Sequence, residues 1–295
     1  MERDFTERIS ARTIKSNLIR KIIASLDKLL NRCFGAPAMR RLKIFLNGTW
    51  IGHPLHPMLT DIPIGAWTLT ILLDLIGLLF RFPQLGLASS ITACIGVAGA
   101  LAAAAAGLAD WVDVDFPEKA IGAFHATVNI SATTLFLISF LMRWGRDWQL
   151  GWTTFVVALA GYLLVMIGGY LGGVMVFDMG VMINRNAYRR GPDDFKPAAE
   201  MRELPEGQLK RVSVEEQPVL LLRLDGTIYA LGAVCSHYGA PLNEGKIVGR
   251  AIECPWHASR FALEDGRVVQ GPACAGVPAY DCRIVNDQVQ VKLRQ

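Results

Sequence analysis

The chain carries Cys235-Ser-His237 and, after sixteen further residues, Cys254-Pro-Trp-His257. Each stretch supplies one thiolate and one imidazole, two of the side chains that bind transition metals most readily. If two loops bring these donors together, they form a metal centre with two cysteine and two histidine ligands. A structural zinc ion is one candidate occupant, but Cys-x-His paired with Cys-x-x-His is an unusual spacing for zinc. This pair of stretches therefore decides the fold of the C-terminal third of the chain.

The residues around the donors extend the pattern to Cys-Ser-His-Tyr-Gly-Ala-Pro-Leu from Cys235 and Cys-Pro-Trp-His-Ala-Ser-Arg-Phe from Cys254. Both stretches closely resemble the Rieske family. In a Rieske [2Fe–2S] cluster one iron takes two cysteines and the other takes two histidines. The resemblance covers residues 200–295. It implies a small antiparallel β-domain, with Cys235 and Cys254 on one iron and His237 and His257 on the other.

The resemblance also assigns neighbours of the cluster. Ser259 stands where respiratory Rieske proteins have a serine that donates to the cluster, and Phe261 replaces their tyrosine donor. We therefore expect a reduction potential low in the Rieske range, as in the ferredoxins of ring-hydroxylating oxygenases. Tyr238 and Trp256 are expected beside the cluster, where Trp256 either shields it or fills core space.

The cysteines beyond the two ligands show no paired spacing. Some Rieske proteins join their two ligand loops by a disulfide, and the corresponding positions here are Ala240 and Trp256. This difference is consistent with a reducing compartment.

Apolar residues make up 52% of the 295 residues and concentrate in the middle of the chain. They predict four membrane spans, at residues 62–80, 87–109, 121–142 and 152–177, each long enough to cross a bilayer. The second and fourth spans have small residues four positions apart, a spacing that favours a compact bundle or a homodimer face. These small residues are Gly99, Ala103, Gly107, Gly168, Gly169, Gly172 and Gly173.

The basic residues are concentrated at the N-terminus. Residues 1–50 hold eleven Lys and Arg against four Asp and Glu, and apolar residues recur near every fourth position from Ile14 to Cys33. The pattern predicts a basic amphipathic helix that lies on an anionic lipid surface or packs on a neighbouring domain. A basic segment followed by apolar spans favours a lipid bilayer as partner over nucleic acid.

Four spans place both chain ends on one side of the membrane. The Lys and Arg near the spans are Arg40, Arg41, Lys43, Lys119, Arg185, Arg189, Arg190 and Lys196 on that side, and Arg81, Arg143 and Arg146 on the other. The positive-inside rule therefore predicts that both termini and the Rieske domain are cytoplasmic, at the inner membrane of a bacterial cell.

Three histidines belong to the membrane part. His53 and His56 occur in Gly52-His-Pro-Leu-His-Pro57, where polyproline geometry would place both rings on one face, and His125 begins the third span. With Asp61, Asp110 and Asn129 they are expected at the cytoplasmic rim of the bundle. Three interpretations stay open for this rim: capping and hydrogen bonding, a haem or metal bound by His125 with His53 or His56, and a quinone pocket.

The membrane part also resembles a family. Gly-His-Pro-Leu-His-Pro-Met-Leu-Thr-Asp-Ile-Pro, with Gly107-Leu-Ala-Asp-Trp and His125-Ala, is similar to bacterial four-helix membrane proteins of undefined function. Asp74, deep in the first span, is expected either to pair with a bundle partner or to be protonated.

The sequence therefore predicts an α + β protein of two domains, a four-helix transmembrane bundle followed by a small all-β Rieske domain. The expected segments are a basic N-terminal segment (1–50), the membrane domain (51–180), a linker (181–199) and the Rieske domain (200–295). We expect a carrier of single electrons between redox proteins or quinone, more than an enzyme on its own, because no room for an oxygenase catalytic domain follows the cluster. The alternatives are a quinol-oxidising or oxygenase-associated component and a redox or oxygen sensor.

Overall fold

The computed structural model describes residues 16–188 and 191–294. The chain divides into two compact units, one comprising residues up to Leu46 with Leu55–Val181 and the other comprising Asn47–Pro54 with Met182–Gln295. Ile14, with which the predicted N-terminal helix begins, and the predicted cytoplasmic arginines 189 and 190 lie outside the described residues.

The first unit is helical. Its helices are α1 (Asn17–Gly35), α2 (Pro37–Leu46), α3 (Leu55–Leu79), α4 (Leu85–Trp111), α5 (Glu118–Trp144) and α6 (Trp152–Gly173), and a π-helical turn at Val174–Asp178 extends α6. Helices α3 to α6 are long and apolar enough to cross a membrane, which confirms the four predicted spans. Helices α3 and α5 begin seven and three residues earlier than predicted, because polar residues such as His56 and Lys119 are included in their first turns.

Helix α1 is amphipathic in the way the sequence predicts. Ser16 accepts a hydrogen bond from the Ile19 N–H at its start, a typical N-cap. Ile23 is buried against Trp111 and Val112, and the Asp27 carboxylate lies 2.6 Å from the Lys119 ammonium. The exposed apolar side chains include Leu18, Ile22, Leu26 and Leu29. One side of α1 therefore packs on the bundle, and the other offers an apolar face suited to a lipid interface.

The centre of the bundle holds a stacked aromatic pair and a buried ion pair. The rings of Trp67 on α3 and Phe136 on α5 are parallel, with centroids 4.2 Å apart. Farther along the same two helices, Arg143 donates to both carboxylate oxygens of Asp74, and the Ser89 hydroxyl donates to the same carboxylate at 2.5 Å. Asp74 and Arg143 are each about 1% exposed. Of the two expectations for Asp74, the structure therefore shows the paired one.

The small residues of the second and fourth spans are used mainly inside the bundle. A Cβ added at Gly99 would lie 2.6 Å from Ile62, and one added at Gly168 would lie 2.5 Å from Asn129. A Cβ at Gly169 would meet nothing within 4 Å. The Gly168 face of α6 therefore packs within the chain. The face that carries Gly169 and Gly173 remains open for the homodimer that the sequence suggests.

The second unit is built from two antiparallel sheets. Its strands are β1 (Lys196–Glu200), β2 (Leu209–Val214), β3 (Gln217–Leu224), β4 (Thr227–Gly232), β5 (Lys246–Val248), β6 (Ala251–Glu253), β7 (Arg260–Ala262), β8 (Val268–Gln270), β9 (Ala279–Val285) and β10 (Gln288–Leu293). The six-stranded sheet has the order β1-β10-β9-β4-β3-β2, and the four-stranded sheet has the order β5-β6-β7-β8. The antiparallel β-domain that the resemblance implies is confirmed, and it includes the hairpins β3–β4, β7–β8 and β9–β10.

The segment before the sheets is more ordered than a flexible linker. Strand β1 begins at Lys196, inside the segment predicted as linker. The Arg185 N–H donates to the Ser236 carbonyl at 3.0 Å, and the Asn186 side chain donates to the Val234 carbonyl at 2.9 Å. These bonds attach the connecting segment to the stretch that contains Cys235.

The buried ion pair gives a stability prediction. Arg143→Met would leave the Asp74 carboxylate buried without its cation, and we expect a loss of about 3–5 kcal/mol. Thermal unfolding of the purified protein in detergent measures it, with Arg146→Met, at an exposed arginine, as the matched control. The double variant Asp74→Leu/Arg143→Met should regain most of the loss, because neither charge remains buried. Equal behaviour of the two arginine variants would contradict this account of the pair.

Candidate metal centre

The two cysteine–histidine stretches lie on loops beside the four-stranded sheet. Residues 235–240 form the first loop, between β4 and β5, and residues 254–259 form the second loop, between β6 and β7. Cys235 and Cys254 are both buried and belong to the same hydrophobic core cluster. The first loop runs from the six-stranded sheet to the four-stranded sheet and the second joins two strands of the four-stranded sheet, and their cysteines meet in one core.

Both loops are closed by the same pair of backbone hydrogen bonds. In the first, the Cys235 N–H donates to the Ala240 carbonyl at 2.9 Å and the Gly239 N–H donates to the Cys235 carbonyl at 3.0 Å. In the second, the Cys254 N–H donates to the Ser259 carbonyl at 2.8 Å and the Ala258 N–H donates to the Cys254 carbonyl at 3.2 Å.

The tight closure needs a left-handed backbone at the same place in each loop. The fourth residue after the cysteine has φ +82° at Gly239 and φ +56° at Ala258. Glycine adopts this conformation freely, whereas for alanine it costs about 1–2 kcal/mol of conformational free energy. The second loop therefore stores backbone strain that the first avoids.

The two sulfurs form one donor pair. The Cys235 thiol donates a hydrogen bond to the Cys254 sulfur, which lowers the pKa of Cys254 to about 6 and raises the pKa of Cys235. Backbone N–H groups of His237 and Tyr238 point at the Cys235 sulfur, and those of Trp256 and His257 point at the Cys254 sulfur. Such N–H donors stabilise thiolate, the form of cysteine that binds metal.

The two imidazoles form a second donor pair. The rings of His237 and His257 are nearly perpendicular, with centroids 5.2 Å apart. Two imidazoles on one tetrahedral metal, with metal–nitrogen bonds of about 2.0–2.1 Å, have centroids about 5 Å apart. The Tyr238 ring lies 4.6 Å from the His237 ring and 5.8 Å from the His257 ring. The donor set fits a centre with one sulfur pair and one nitrogen pair, and Tyr238 lies beside the two imidazole rings.

A third loop connects the first two without a covalent bond. The Ser236 hydroxyl donates to the Ala275 carbonyl at 2.5 Å, and the Ser259 hydroxyl accepts from the Ala273 N–H at 3.0 Å. None of the six cysteines, all of which lie among the described residues, forms a disulfide. Residues 271–275 therefore take the place of the disulfide that the sequence lacks, a role the sequence alone did not reveal because serine hydrogen bonds leave no spacing signal.

The second unit also includes residues from before the membrane helices. The Thr49 hydroxyl donates to the Ala273 carbonyl at 3.4 Å, and the Cys274 thiol donates to the Asn47 carbonyl at 3.1 Å. The third loop is thus supported from behind by a segment more than 220 positions away in sequence.

Two predicted neighbours of the centre behave differently. Trp256 is 53% exposed, so the expectation that it fills core space is wrong. Phe261 is fully buried in the core cluster that holds both cysteines. The Phe261 ring contributes apolar packing and no donor, as its chemistry requires.

The membrane histidines separate into two groups. His56 on α3 and His125 on α5 have ring centroids 6.1 Å apart, whereas His53 is exposed and belongs to the other unit. The prediction that polyproline geometry places His53 and His56 on one face is wrong, because α3 begins at Leu55 and His56 is therefore part of a helix. Asn129 donates to the His125 carbonyl at 2.8 Å, one turn away on the same face as predicted.

Comparison with known proteins identifies both parts. The Rieske [2Fe–2S] domain model matches residues 194–281, and the model described as predicted membrane protein (DUF2231) matches residues 52–185. The chain belongs to the Rieske [2Fe–2S] family through its C-terminal domain, which is joined to a DUF2231 membrane domain.

The relatives of the Rieske part include ferredoxin components and a longer protein. The chain is 34% identical over 96 residues to the ferredoxin component of the naphthalene 1,2-dioxygenase system of Pseudomonas aeruginosa, which covers 32% of this chain and 92% of that protein. It is 32% identical over 103 residues to human apoptosis-inducing factor 3, which covers 34% of this chain and 17% of that protein. A solved ferredoxin of carbazole 1,9a-dioxygenase from Nocardioides aromaticivorans is 27% identical, covers 34% of this chain and 98% of that one, and has a TM-score of 0.33.

The third loop gives a prediction at the site. Ser236→Ala removes the bond to Ala275 and should cost about 1 kcal/mol. We expect the visible absorption of the purified protein to decay several-fold faster in the presence of an iron chelator. Ser213→Ala, at an exposed serine on β2, is the matched control and should leave the decay unchanged. A decay equal to that of the unmodified protein in both variants would show that the third loop does not hold the centre together.

Proposed function

We propose that this protein carries single electrons at the cytoplasmic surface of the membrane through a [2Fe–2S] cluster, with Cys235 and Cys254 on one iron and His237 and His257 on the other. The observation that carries the proposal is the division of the four donors into a thiol pair and an imidazole pair on two Rieske loops. When bound, the cluster supplies a site that accepts and returns one electron without moving atoms far.

The pairing of the donors favours two irons over one zinc ion. A Cys2His2 zinc site needs all four donors around one point. Among the described residues, no three His, Cys, Asp or Glu side chains converge so as to hold a single ion. Separate sulfur and nitrogen pairs are what a two-iron centre requires, because each iron takes its own pair.

The surrounding groups tune the affinity of the centre for an electron. The four backbone N–H groups that point at the sulfurs stabilise added negative charge, and the buried Ser259 hydroxyl is placed to add a donor. Phe261 supplies none. The exposed Trp256 lies in the second ligand loop, where it is accessible to a redox partner.

Phe261→Tyr tests the tuning. A hydroxyl that donates to the cluster favours the reduced form by about 1–1.5 kcal/mol, which corresponds to a rise of about 40–60 mV for a one-electron couple. A redox titration followed by EPR measures the potential. Phe195→Tyr, outside the core cluster that holds the cysteines, is the control. An unmodified protein that titrates near the top of the Rieske range would contradict the low potential proposed here.

The cytoplasmic orientation rests on charge. Arg143, counted in the sequence as a flanking residue, is paired with Asp74 inside the bundle, so it no longer counts for the opposite side. Lys119 is likewise buried and paired with Asp27. Exposed Arg81 and Arg146 remain on the opposite side, against Arg40, Arg41, Arg185 and Lys196 on the terminal side. The excess still favours cytoplasmic termini at a bacterial inner membrane.

Protease accessibility tests the orientation. Trypsin should release the Rieske domain from inverted inner-membrane vesicles and spare it in right-side-out spheroplasts. Cleavage at exposed Arg81 or Arg146 should show the opposite dependence and serves as the internal control. Release of the Rieske domain from intact spheroplasts would contradict the proposed location.

The partners follow from the relatives in outline. Several relatives are ferredoxin components of dioxygenase systems, and this favours an electron acceptor of the oxygenase class, reached from a donor protein or from quinone. A quinol-oxidising role predicts cluster reduction by quinol in vesicles, and a sensor role predicts that reduction alters the membrane unit. For a haem or quinone in the membrane domain, which the sequence left as a possibility, the proximity of the His56 and His125 rings favours these two histidines as the contacting residues.

A further inference from the structure

The membrane unit contains an internal repeat. Four of the five buried positions of α3, Pro63, Trp67, Thr70 and Asp74, recur 69 residues later as the buried positions Ala132, Phe136, Ser139 and Arg143 of α5. His56 and His125 have the same separation. Helices α3 and α5 therefore occupy equivalent places, although few of their residues are identical.

Helices α4 and α6 repeat at a separation of 65 residues. The buried positions Ser89, Ser90, Ala93, Gly96, Ala103 and Ala106 correspond to the buried positions Thr154, Phe155, Ala158, Gly161, Gly168 and Leu171. Gly96 lies against Trp67, and its equivalent Gly161 lies against Phe136. The α3–α4 hairpin and the α5–α6 hairpin are thus two copies of one structural unit.

Three contacts along the bundle join a residue to its own equivalent. They are the His56–His125 pair, the Trp67–Phe136 stack and the Asp74–Arg143 ion pair. A residue meets its own equivalent at an approximate twofold axis and not elsewhere. The three contacts therefore mark an axis that runs along the bundle between the hairpins. Two of these contacts are an aromatic stack and an ion pair. The third brings together two histidines, which are common metal ligands.

Each histidine is held by the second helix of its own hairpin. His56 Nδ1 lies 2.8 Å from the Ala103 carbonyl oxygen, and His125 Nδ1 lies 2.9 Å from the Gly168 carbonyl oxygen. The two acceptors are themselves equivalent positions of the repeat. Because a carbonyl only accepts, Nδ1 carries the proton in both rings and Nε2 keeps its lone pair. This is the arrangement in which proteins orient a histidine for binding a metal through Nε2.

Equivalent glycines make room for the two rings. A Cβ at Gly107 would lie 2.9 Å from His56 Nδ1, and a Cβ at Gly172, its equivalent, would lie 3.4 Å from His125 Cε1. The Asn129 amide nitrogen lies 3.3 Å from His125 Nε2, where it donates to the lone pair, and a metal bound at this nitrogen would replace that hydrogen bond. That bond keeps His125 in the Nδ1–H form.

The separation of the rings matches ligands on opposite sides of one metal. Two Nε2–metal bonds of about 2.0–2.1 Å in line, with about 1.1 Å from each nitrogen to its ring centre, place the centroids about 6.3 Å apart. The observed separation is 6.1 Å, against 5.2 Å for the His237–His257 pair. The separation therefore allows both Nε2 atoms to reach one metal.

We propose that His56 and His125 bind one transition-metal centre through their Nε2 atoms on the twofold axis of the membrane unit. The ligand class is a metal that takes two imidazoles, either haem iron or a bare divalent ion. The inference deepens the membrane-cofactor proposal made above and does not depend on the [2Fe–2S] cluster. His53, although adjacent in sequence, takes no part.

The experiment uses the full-length protein, purified in detergent from cells supplied with iron. We expect one metal per chain in addition to the two cluster irons, and for haem a Soret band that shifts on dithionite reduction together with a pyridine haemochrome. A bare ion would instead appear in elemental analysis without a Soret band. Where the purified protein lacks the extra metal, titration with ferric haem and separately with Zn²⁺ should show saturation at one per chain.

Variants separate the site from the fold and from the Rieske domain. His56→Ala and His125→Ala should each abolish the extra metal, and added imidazole should restore it, whereas His53→Ala should retain it. The EPR signal of the reduced cluster, measured in the same samples, should persist in all three, so failure of this inference is distinguishable from failure of the electron-transfer proposal. A wild-type protein that holds no metal beyond the cluster irons and binds neither ferric haem nor Zn²⁺ would overturn the proposal.

Discussion

The paired backbone hydrogen bonds that close each ligand loop are the constraint on which the metal centre depends. They join a cysteine to the residues four and five positions later, and they do so identically in loops of different sequence. Once closed in this way, each loop turns its cysteine into the core and aims backbone N–H groups at the sulfur. The histidines follow at the positions left by that geometry. The site is thus fixed by main-chain bonding, and the side chains supply the chemistry.

The loops depend on the rest of their unit for support. With no disulfide among the described residues, the hydrogen bonds of Ser236 and Ser259 to residues 271–275 hold the two loops to a common third one. Residues from both ends of the membrane domain contribute as well, through Thr49 and Asn186. A membrane anchor fused to a soluble carrier need not touch its metal site. Here the flanking segments are integrated into the carrier fold.

Much of the molecule was predictable from its sequence, for identifiable reasons. Long apolar runs determine membrane helices, and the turn dipeptides Asp225-Gly226 and Asn286-Asp287 adopt the positive φ values that tight hairpins need. The ligand motifs are specific because few centres use that donor set. Two local expectations were wrong. Trp256 is exposed and does not fill core space. Pro57 did not prevent a helix from beginning at Leu55, because proline is tolerated in the first turn of a helix.

The internal repeat of the membrane unit escaped sequence reasoning because most equivalent residues differ. Asp74 and Arg143, for example, occupy equivalent positions although their charges are opposite, and they form an ion pair at the axis. The signal that was available is the recurrence of His56, Trp67 and Asp74 as His125, Phe136 and Arg143 at one constant separation. The repeat is visible in the similar types of residue at this separation and not in identical residues.

The proposed metal centre holds two irons that differ in their ligands. Mössbauer spectroscopy of the purified full-length protein, enriched in the Mössbauer-active iron isotope and reduced by one electron, measures this most directly. We expect two iron sites in equal amounts, one ferric with sulfur ligands and one ferrous with nitrogen ligands, because the added electron localises on the iron held by neutral imidazoles. Two equivalent irons, or a protein that contains zinc and no iron, would contradict it.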